Sequence, residues 1–195
     1  MSMLPLPIVW PYALGFWLVY AWAFWPQLRK LKQAQSLSRD QDAGSLRLLL
    51  IGGRLSEVAA AILALSCPGA ALTSPRVFLF AGTALLIAGS MLRRHCIRTL
   101  GSSFTSAVVV TPEQRVVEQG MYRWVRHPSY AGGMMMMVGV GLAWGNWMSL
   151  LVVIISTSLL YRYRVIVEER ALVAVLGDDY RRYMERTKRF IPFVV

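Results

Sequence analysis

The sequence predicts an all-α, polytopic membrane protein, and three observations support this fold class. Apolar residues make up 56% of the 195-residue chain and charged residues only 16%, whereas soluble domains have roughly 45–50% and about 25%. The chain has seven Trp and eight Tyr, ring types that are enriched at membrane–water interfaces. Long apolar runs alternate with basic stretches. This composition excludes a disordered chain and argues against a soluble globular one.

The net charge of +11 could suit a nucleic-acid-binding protein, but the placement of the charges does not. Most of the 21 Lys and Arg residues fall in three stretches, 29–47, 93–126 and 162–189, which apolar runs separate. This is the positive-inside pattern of a multispanning membrane protein. We therefore expect membrane lipids rather than nucleic acid as partners, and the pattern indicates no obligate protein partner.

Five apolar runs predict about five transmembrane helices. Counting the runs against the basic stretches places the N-terminus outside and the C-terminus in the cytoplasm. Residues 1–92 form a three-helix membrane region, and residues 93–195 form a second region within one integrated domain. That second region combines an interfacial segment, a helical hairpin and C-terminal amphipathic helices. The runs cover residues 8–28, 48–66, 77–92, 129–143 and 147–161.

Smaller features predict local structure. Gly145-Asn146 predicts a tight turn inside the hairpin, and Gly177 predicts a break between two amphipathic helices over 168–188. The methionine run 134–137 indicates packing rather than a metal site, because four consecutive positions point all round a helix. Cys67 and Cys96 are expected near opposite faces of the bilayer. This is too far apart for a disulfide bond, so we expect two free thiols.

Arg54 and Glu57 are charged residues inside the second apolar run. Their i,i+3 spacing places them on one helix face. Two interpretations follow: a polar wall of a functional site, or a structural ion pair. We favour the structural pair because the two charges satisfy each other.

Two polar constellations could support chemistry. The segment Arg126-His127-Pro128-Ser129-Tyr130-Ala131-Gly132 stands at a predicted helix start, where free N–H groups attract anions. The alternative is a helix cap with interfacial snorkelling, and this segment alone does not decide between the two. Arg164 and Glu168 lie four residues apart on one helix face, in the weaker orientation for an ion pair. We expect Glu169 and Arg170 to be solvated.

These segments resemble the isoprenylcysteine carboxyl methyltransferase family, within a superfamily that includes phospholipid N-methyltransferases. The first half of the signature reads Gly120-x-Tyr122-x-x-x-Arg126-His127-Pro128-Ser129-Tyr130-x-Gly132. The second half reads Arg164-x-x-x-Glu168-Glu169, followed by Leu172, Gly177, Tyr180, Tyr183 and Arg189-Phe190-Ile191-Pro192. The resemblance covers roughly residue 100 to the C-terminus.

The resemblance implies a methyltransferase that uses S-adenosylmethionine and binds it in a cytosol-facing pocket of the C-terminal half, residues 93–195. Glu168 would hold the amino group of the cofactor, and Arg164, a catalytic and substrate-binding residue, would face the methyl-accepting group. A further cofactor contact of the family, a Gln in animal members, falls near Ala107 in this sequence. That contact is therefore absent or supplied by another residue. The implied cofactor-binding residues are Gln114, Arg115, Val116, Val117, Tyr122, His127, Pro128, Ser129, Tyr130 and Glu168.

The chemistry favours a carboxylate as the methyl acceptor. A carboxylate is ionised at pH 7 and needs no general base, and the guanidinium of Arg164 offers a two-pronged fork for it. The first hypothesis is therefore O-methylation of a prenylcysteine-type acceptor that enters from the bilayer. The second is N-methylation of a phospholipid or other small lipid, with Glu168 or Glu169 as base. The third is a membrane protein without enzymatic activity.

Overall fold

The computed structural model describes residues 4–34, 42–105, 107–108, 110 and 114–190, and its regular structure is helical. This confirms the predicted all-α class. Short 3₁₀ turns join the longer helices. The α-helices of the described chain are α1 (Tyr12–Ala34), α2 (Ser45–Ser66), α3 (Pro75–Leu100), α4 (Pro128–Ala143), α5 (Trp147–Leu176) and α6 (Asp178–Arg186).

Three helices of the described chain, α2, α3 and α5, are long and apolar enough to cross a membrane. They have 22, 26 and 30 residues. The apolar part of α1, Tyr12–Trp25, is shorter, and α4 has 16 residues. Several membrane-spanning helices are thus present as predicted, while the count of five stays a prediction.

Helices α3 and α4 pack backbone against backbone through glycines. A Cβ atom at Gly82 of α3 would lie 2.4 Å from the carbonyl oxygen of Gly139, and one at Gly89 would lie 2.6 Å from that of Gly132. A real Cβ atom could not fit at these distances, so only glycine allows the two backbones to approach this closely. This contact fixes the start of α4 against α3.

Helix α5 packs against α2 and α4 through small polar residues and an apolar core. The hydroxyl of Ser149 donates to the carbonyl oxygen of Ala60 at 2.6 Å. Met136 and Met137 of the methionine run lie in the apolar core, only 0% and 8% exposed, in agreement with the packing interpretation. These contacts hold α2, α4 and α5 together around the cavities described below.

Three helices extend further than the sequence predicts. Helix α1 continues past residue 28 to Ala34. Helix α3 continues past Leu92 to Leu100, and α5 continues past Tyr161 to Leu176. The first of the two predicted amphipathic helices is therefore a continuation of α5, because nothing in its sequence breaks the helix before Gly177. The predicted break at Gly177 is confirmed, with a positive φ of 56°.

The turn between α4 and α5 is built on Asn146. Its side chain accepts hydrogen bonds from the amides of Met148 at 2.9 Å and Ser149 at 3.1 Å. Its amide group donates to the carbonyl oxygen of Cys67 at 3.0 Å, which ties the end of α2 to this turn. Cys67 and Cys96 are both free thiols, as predicted.

Arg54 and Glu57 form an ion pair, with 2.6 Å between Nη1 and Oε2. The hydroxyl of Tyr20 in α1 donates to Glu57 at 2.9 Å and also contacts Arg54. The pair thus links α1 to α2, as the structural interpretation requires. Both residues also line the larger of the two cavities.

Candidate active site

Two adjoining cavities lie at one end of the helix bundle. The larger, about 320 Å³, is lined by residues of α1 to α5. The smaller, about 60 Å³, lies between the end of α3, the segment that follows it, the start of α4 and the last part of α5. Phe104, Thr105 and Tyr130 line both cavities, so a ligand in one would border a ligand in the other.

Six of the ten predicted cofactor residues line the smaller cavity: Gln114, Tyr122, His127, Ser129, Tyr130 and Glu168. Pro128 is buried as the first residue of α4. Arg115 is exposed, and Val116 and Val117 are half-buried. None of these last four residues lines the smaller cavity, and their cofactor roles stay predictions.

His127 lies at the centre of the smaller site, only 5% exposed. Its Nδ1 is 3.4 Å from Oε2 of Glu168, and its Nε2 is 3.3 Å from Oε1 of Glu169. The imidazole ring stacks on the ring of Tyr130, with 5.4 Å between centroids. Helix α5 thus supplies two successive carboxylates to opposite sides of one imidazole.

Glu169 is buried rather than solvated, so that expectation was wrong. It is 5% exposed and accepts hydrogen bonds from Nε of Arg126 at 2.9 Å and Nη2 of Arg189 at 3.0 Å. Three basic groups therefore converge on one carboxylate. Arg170, by contrast, is exposed as expected.

The chain just after α6 supports the site from the side of His127. Residues 187–190, which we call the C-terminal strap, run beside the segment that precedes α4. The amide of Arg126 donates to the carbonyl oxygen of Lys188 at 2.7 Å, and that of His127 donates to Arg189 at 3.0 Å. Phe190 packs near the His127 ring, 6.3 Å between centroids, while the last two motif residues, Ile191 and Pro192, lie outside the described residues. The strap therefore fixes the His127 backbone.

Arg164 lies in the wall of the larger cavity and is only 2% exposed. Its Nη1 donates to Asp42 and to the hydroxyl of Ser45. Its Nε donates to the hydroxyl of Tyr130 at 3.2 Å. The guanidinium is thus held in a fixed orientation beside Tyr130, one of the residues that both cavities share.

Asp42 is a site residue that the sequence analysis missed. Its carboxylate accepts from the amides of Leu46 at 2.9 Å and Val108 at 2.8 Å, in addition to Arg164. Burial raises the pKa of Asp42, but these amides and the guanidinium outweigh burial and hold the pKa below its ordinary value. Asp42 is therefore a carboxylate at neutral pH and the fixed partner of Arg164.

The pKa of His127 is raised above its ordinary value. Burial lowers the pKa, but hydrogen bonding and charge attraction from Glu168 and Glu169 outweigh it. The imidazolium form is therefore favoured.

Sequence patterns could have indicated the burial of Glu169 but not the role of Asp42. Tyr161, Val165 and Glu169 are spaced four residues apart, so they share one helix face, and this spacing could have placed Glu169 on the buried side. Asp42 is an acid just before α2, which indicates a helix start. No spacing rule connects it with Arg164, 122 residues away.

The cavities differ in the charge that they can accept. One carboxylate oxygen of Glu168, Oε2, is buried, and its contact with Nδ1 of His127 at 3.4 Å is longer than an ordinary hydrogen bond, so the oxygen can still accept from a ligand. It suits a cationic ligand, and the neighbouring rings of Tyr122 and Tyr130 favour a cation as well. Arg164 suits an anion. The arrangement can therefore bring a cationic compound and an anionic compound together beside Tyr130.

Comparison with known proteins agrees with the resemblance seen in the sequence. The model of the isoprenylcysteine carboxyl methyltransferase family matches residues 82–174. This range runs from α3 almost to the end of α5, and it includes the first motif half and the part of the second from Arg164 to Leu172. The resemblance is confirmed over this region.

Curated relatives carry the same name. The chain is 31% identical over 115 residues to protein-S-isoprenylcysteine O-methyltransferase B of Arabidopsis thaliana, an alignment that covers 58% of each protein. It is 29% identical over 115 residues to the Tribolium castaneum enzyme and 32% over 115 residues to that of Saccharomyces cerevisiae. Those alignments cover 58% of this chain and 41% and 48% of the relatives. The chain thus spans about half the length of the curated relatives it matches.

A solved structure shares the fold. The eukaryotic intramembrane Ras methyltransferase, an isoprenylcysteine carboxyl methyltransferase, superposes with a TM-score of 0.69 at 22% identity, over 92% of this chain and 66% of the other. The chain therefore has the fold of an integral membrane protein, and the predicted membrane location is confirmed at that level.

Proposed function

We propose, on the premise of a family resemblance confirmed over residues 82–174, that this chain methylates the carboxylate of a prenylcysteine-type acceptor with S-adenosylmethionine as donor. The pair of adjoining cavities carries the proposal. Glu168 lines the smaller cavity, Arg164 lines the larger, and Tyr130 lines both. The walls therefore offer a place for a cationic donor beside a place for an anionic acceptor.

The smaller cavity fits the donor by its chemistry. Bound S-adenosylmethionine would supply a methyl group on a positively charged sulfonium. Oε2 of Glu168, whose contact with His127 is long at 3.4 Å, would accept from the donor's amino group, and the rings of Tyr122 and Tyr130 would face the positive charge. At about 60 Å³ the described cavity suits the amino-acid end of the donor. Gln114 and residues 115–117 would contact the remaining part of the donor.

Arg164 would hold the acceptor carboxylate. A carboxylate is already ionised at neutral pH, so alignment and exclusion of water are the tasks of the protein. Asp42, Ser45 and Tyr130 fix the guanidinium before an acceptor arrives, which lowers the entropic cost of alignment. An amine acceptor would require a proton acceptor at this position, which Arg cannot be.

The larger cavity suits a lipid chain, because most of its wall, which five helices supply, is apolar. A prenyl chain that stays in the bilayer could enter between helices, and the acceptor carboxylate would remain at the Arg164 end. The apolar wall residues include Phe24, Leu49, Leu50, Met136, Met137 and Leu160.

The proposal includes five membrane passes, with both cavities facing the cytoplasm. The C-terminal end of α3 carries Arg93, Arg94 and Arg98, all on the wall of the larger cavity, and α6, which follows the end of α5, carries three more arginines. By the positive-inside rule this end of the bundle is cytoplasmic. The C-terminus would then be cytoplasmic and the N-terminus outside.

Two measurements test the function. Calorimetry in detergent should show binding of S-adenosylmethionine, and no binding would refute an enzyme of this kind. Incubation with labelled donor and N-acetyl-S-farnesylcysteine should then give a base-labile methyl ester. Base-stable label in phospholipid would instead identify the N-methyltransferase alternative.

A further inference from the structure

The wall of the larger cavity carries more positive charge than one carboxylate needs. One acid lines it, Glu57, which pairs with Arg54 at 2.6 Å. Arg164 already has Asp42 as its partner. The arginines that line this cavity in the described chain are Arg54, Arg93, Arg94, Arg98 and Arg164.

Arg94 is held on the cavity wall by α1. Its Nη2 donates to the carbonyl oxygen of Trp22 at 2.6 Å, and its guanidinium lies 4.1 Å from the centroid of the Trp22 ring. Its Nε donates to the hydroxyl of Ser90 at 3.3 Å. A snorkelling arginine extends toward the headgroups instead. The position of Arg94 is thus set by the protein rather than by the membrane surface.

Arg98 lies one turn closer to the end of α3 and on the same helix face as Arg94. Neither side chain pairs with a carboxylate in the part of the chain that the structure describes. Arg93 also has no carboxylate partner among the described residues, but it points to another helix face, where its Nη1 donates to the carbonyl oxygen of Ser129 at 3.0 Å and ties α3 to α4. Arg94 and Arg98 therefore place two guanidiniums on one helix face of the cavity wall without an acidic partner, where an anionic ligand group would supply the counter-charge.

We infer that Arg94 and Arg98 form a subsite for a second anionic group of the acceptor, a carboxylate or a phosphate. The preferred acceptor is then an amphiphile with two anions: the carboxylate that is methylated at Arg164, and a second group bound at the end of α3. This inference rests on the proposed function and specifies its substrate class.

The first test uses two acceptors that differ by one charge. N-succinyl-S-farnesylcysteine carries a second carboxylate, and N-succinamoyl-S-farnesylcysteine carries an amide of the same size. With the protein in nanodiscs of neutral phosphatidylcholine, kcat/KM for methylation of the cysteine carboxyl should be about tenfold higher for the dianion, the scale of a charge-assisted hydrogen bond. Equal values, or a preference for the amide, would overturn the inference.

Variants assign the preference to residues. The combined change Arg94→Gln and Arg98→Gln should bring the ratio of the two kcat/KM values to about one, whereas Arg98→Lys should retain part of it. Arg162→Gln is the matched control, because Arg162 is exposed on α5 and does not line the cavity. A ratio that persists in the double variant would refute the assignment. If that variant no longer binds the donor, Arg98→Gln alone, at an exposed position, replaces it.

Two further outcomes are distinguishable. Added phosphatidylglycerol should compete and reduce the preference. If it instead stimulates both acceptors equally through Arg94 and Arg98, the second anion belongs to a lipid headgroup and the inference about the acceptor is wrong. If the donor binds but neither compound is methylated, the proposed function fails. Calorimetry with the two compounds then tests the subsite by itself, and equal affinities overturn it.

Discussion

The two cavities are built in different ways, although they share a wall. The smaller is formed by one stretch of chain, residues 100–130, together with 168–172 of α5. The larger takes residues from five helices, and its key side chain, Arg164, depends on Asp42, 122 residues away. A site made from a contiguous motif is visible in the sequence, whereas one assembled by helix packing is not. The comparison also predicts that a substitution in the larger cavity lowers methyl transfer without changing donor affinity, and that one in the smaller cavity lowers donor affinity.

The largest effect is expected at Glu169, which supports the smaller cavity. Glu169→Gln leaves Arg126 and Arg189 without their carboxylate, and removal of one partner of a buried ion pair costs about 3–5 kcal/mol. Thermal unfolding in detergent should show the loss. Glu185→Gln, at an exposed position of α6, is the control and should unfold like the wild type. Equal stability of the two variants would mean that the ion pairs of Glu169 with Arg126 and Arg189 do not stabilise the fold.

The same variant has a pH signature. The raised pKa of His127 means that stabilisation by the imidazolium is fully present below the ordinary pKa of 6.5 and is lost as pH rises through the raised value. Glu169→Gln removes one of the two carboxylates, so the loss should begin at lower pH. Thermal unfolding of the variant and of the wild type, measured against pH, would show this shift. An unchanged profile would show that Glu169 acts only as a structural anchor.

Arg164→Ala should affect only the larger cavity. Loss of an electrostatic group at the reacting centre typically costs about 10²–10³-fold in kcat, while the affinity for the donor should stay within about twofold because Arg164 does not line the smaller cavity. Methyl transfer and calorimetry measure the two quantities separately. A parallel loss of donor binding would break the division between the cavities.

Glu168→Ala is the reciprocal test. A hydrogen bond to a charged group is worth about 1.5–3 kcal/mol, so donor affinity should fall roughly 10- to 150-fold. Glu168→Gln keeps one acceptor oxygen and should retain part of the affinity. Equal donor affinity in the Glu168→Ala and Arg164→Ala variants would contradict the assigned roles.

The sequence predicted the smaller cavity better than the larger one. His127, Tyr130 and Glu168 belong to motifs with fixed spacing, and the structure places all three on the smaller cavity. The lengths of α3 and α5 were underestimated because charged residues after an apolar run end a membrane span but not a helix. Burial of Glu169 needed only helical periodicity, whereas the partnership of Asp42 and Arg164 required the packing of α2 on α5, which no local pattern specifies.

The smallest effect is expected at the far end of the larger cavity, in the Arg54–Glu57 pair. Arg54 is 53% exposed and lines the cavity, so water that enters the cavity would solvate its guanidinium, and solvated ion pairs contribute about 0.2–1 kcal/mol. A double-mutant cycle with Arg54→Met and Glu57→Leu should therefore give a coupling energy of about 1 kcal/mol or less in thermal unfolding. The double variant should be more stable than Arg54→Met alone, because the single change leaves the Glu57 charge with Tyr20 only. A large coupling energy, or a folded double variant without activity, would show that chemistry extends beyond Arg164 to this end of the cavity.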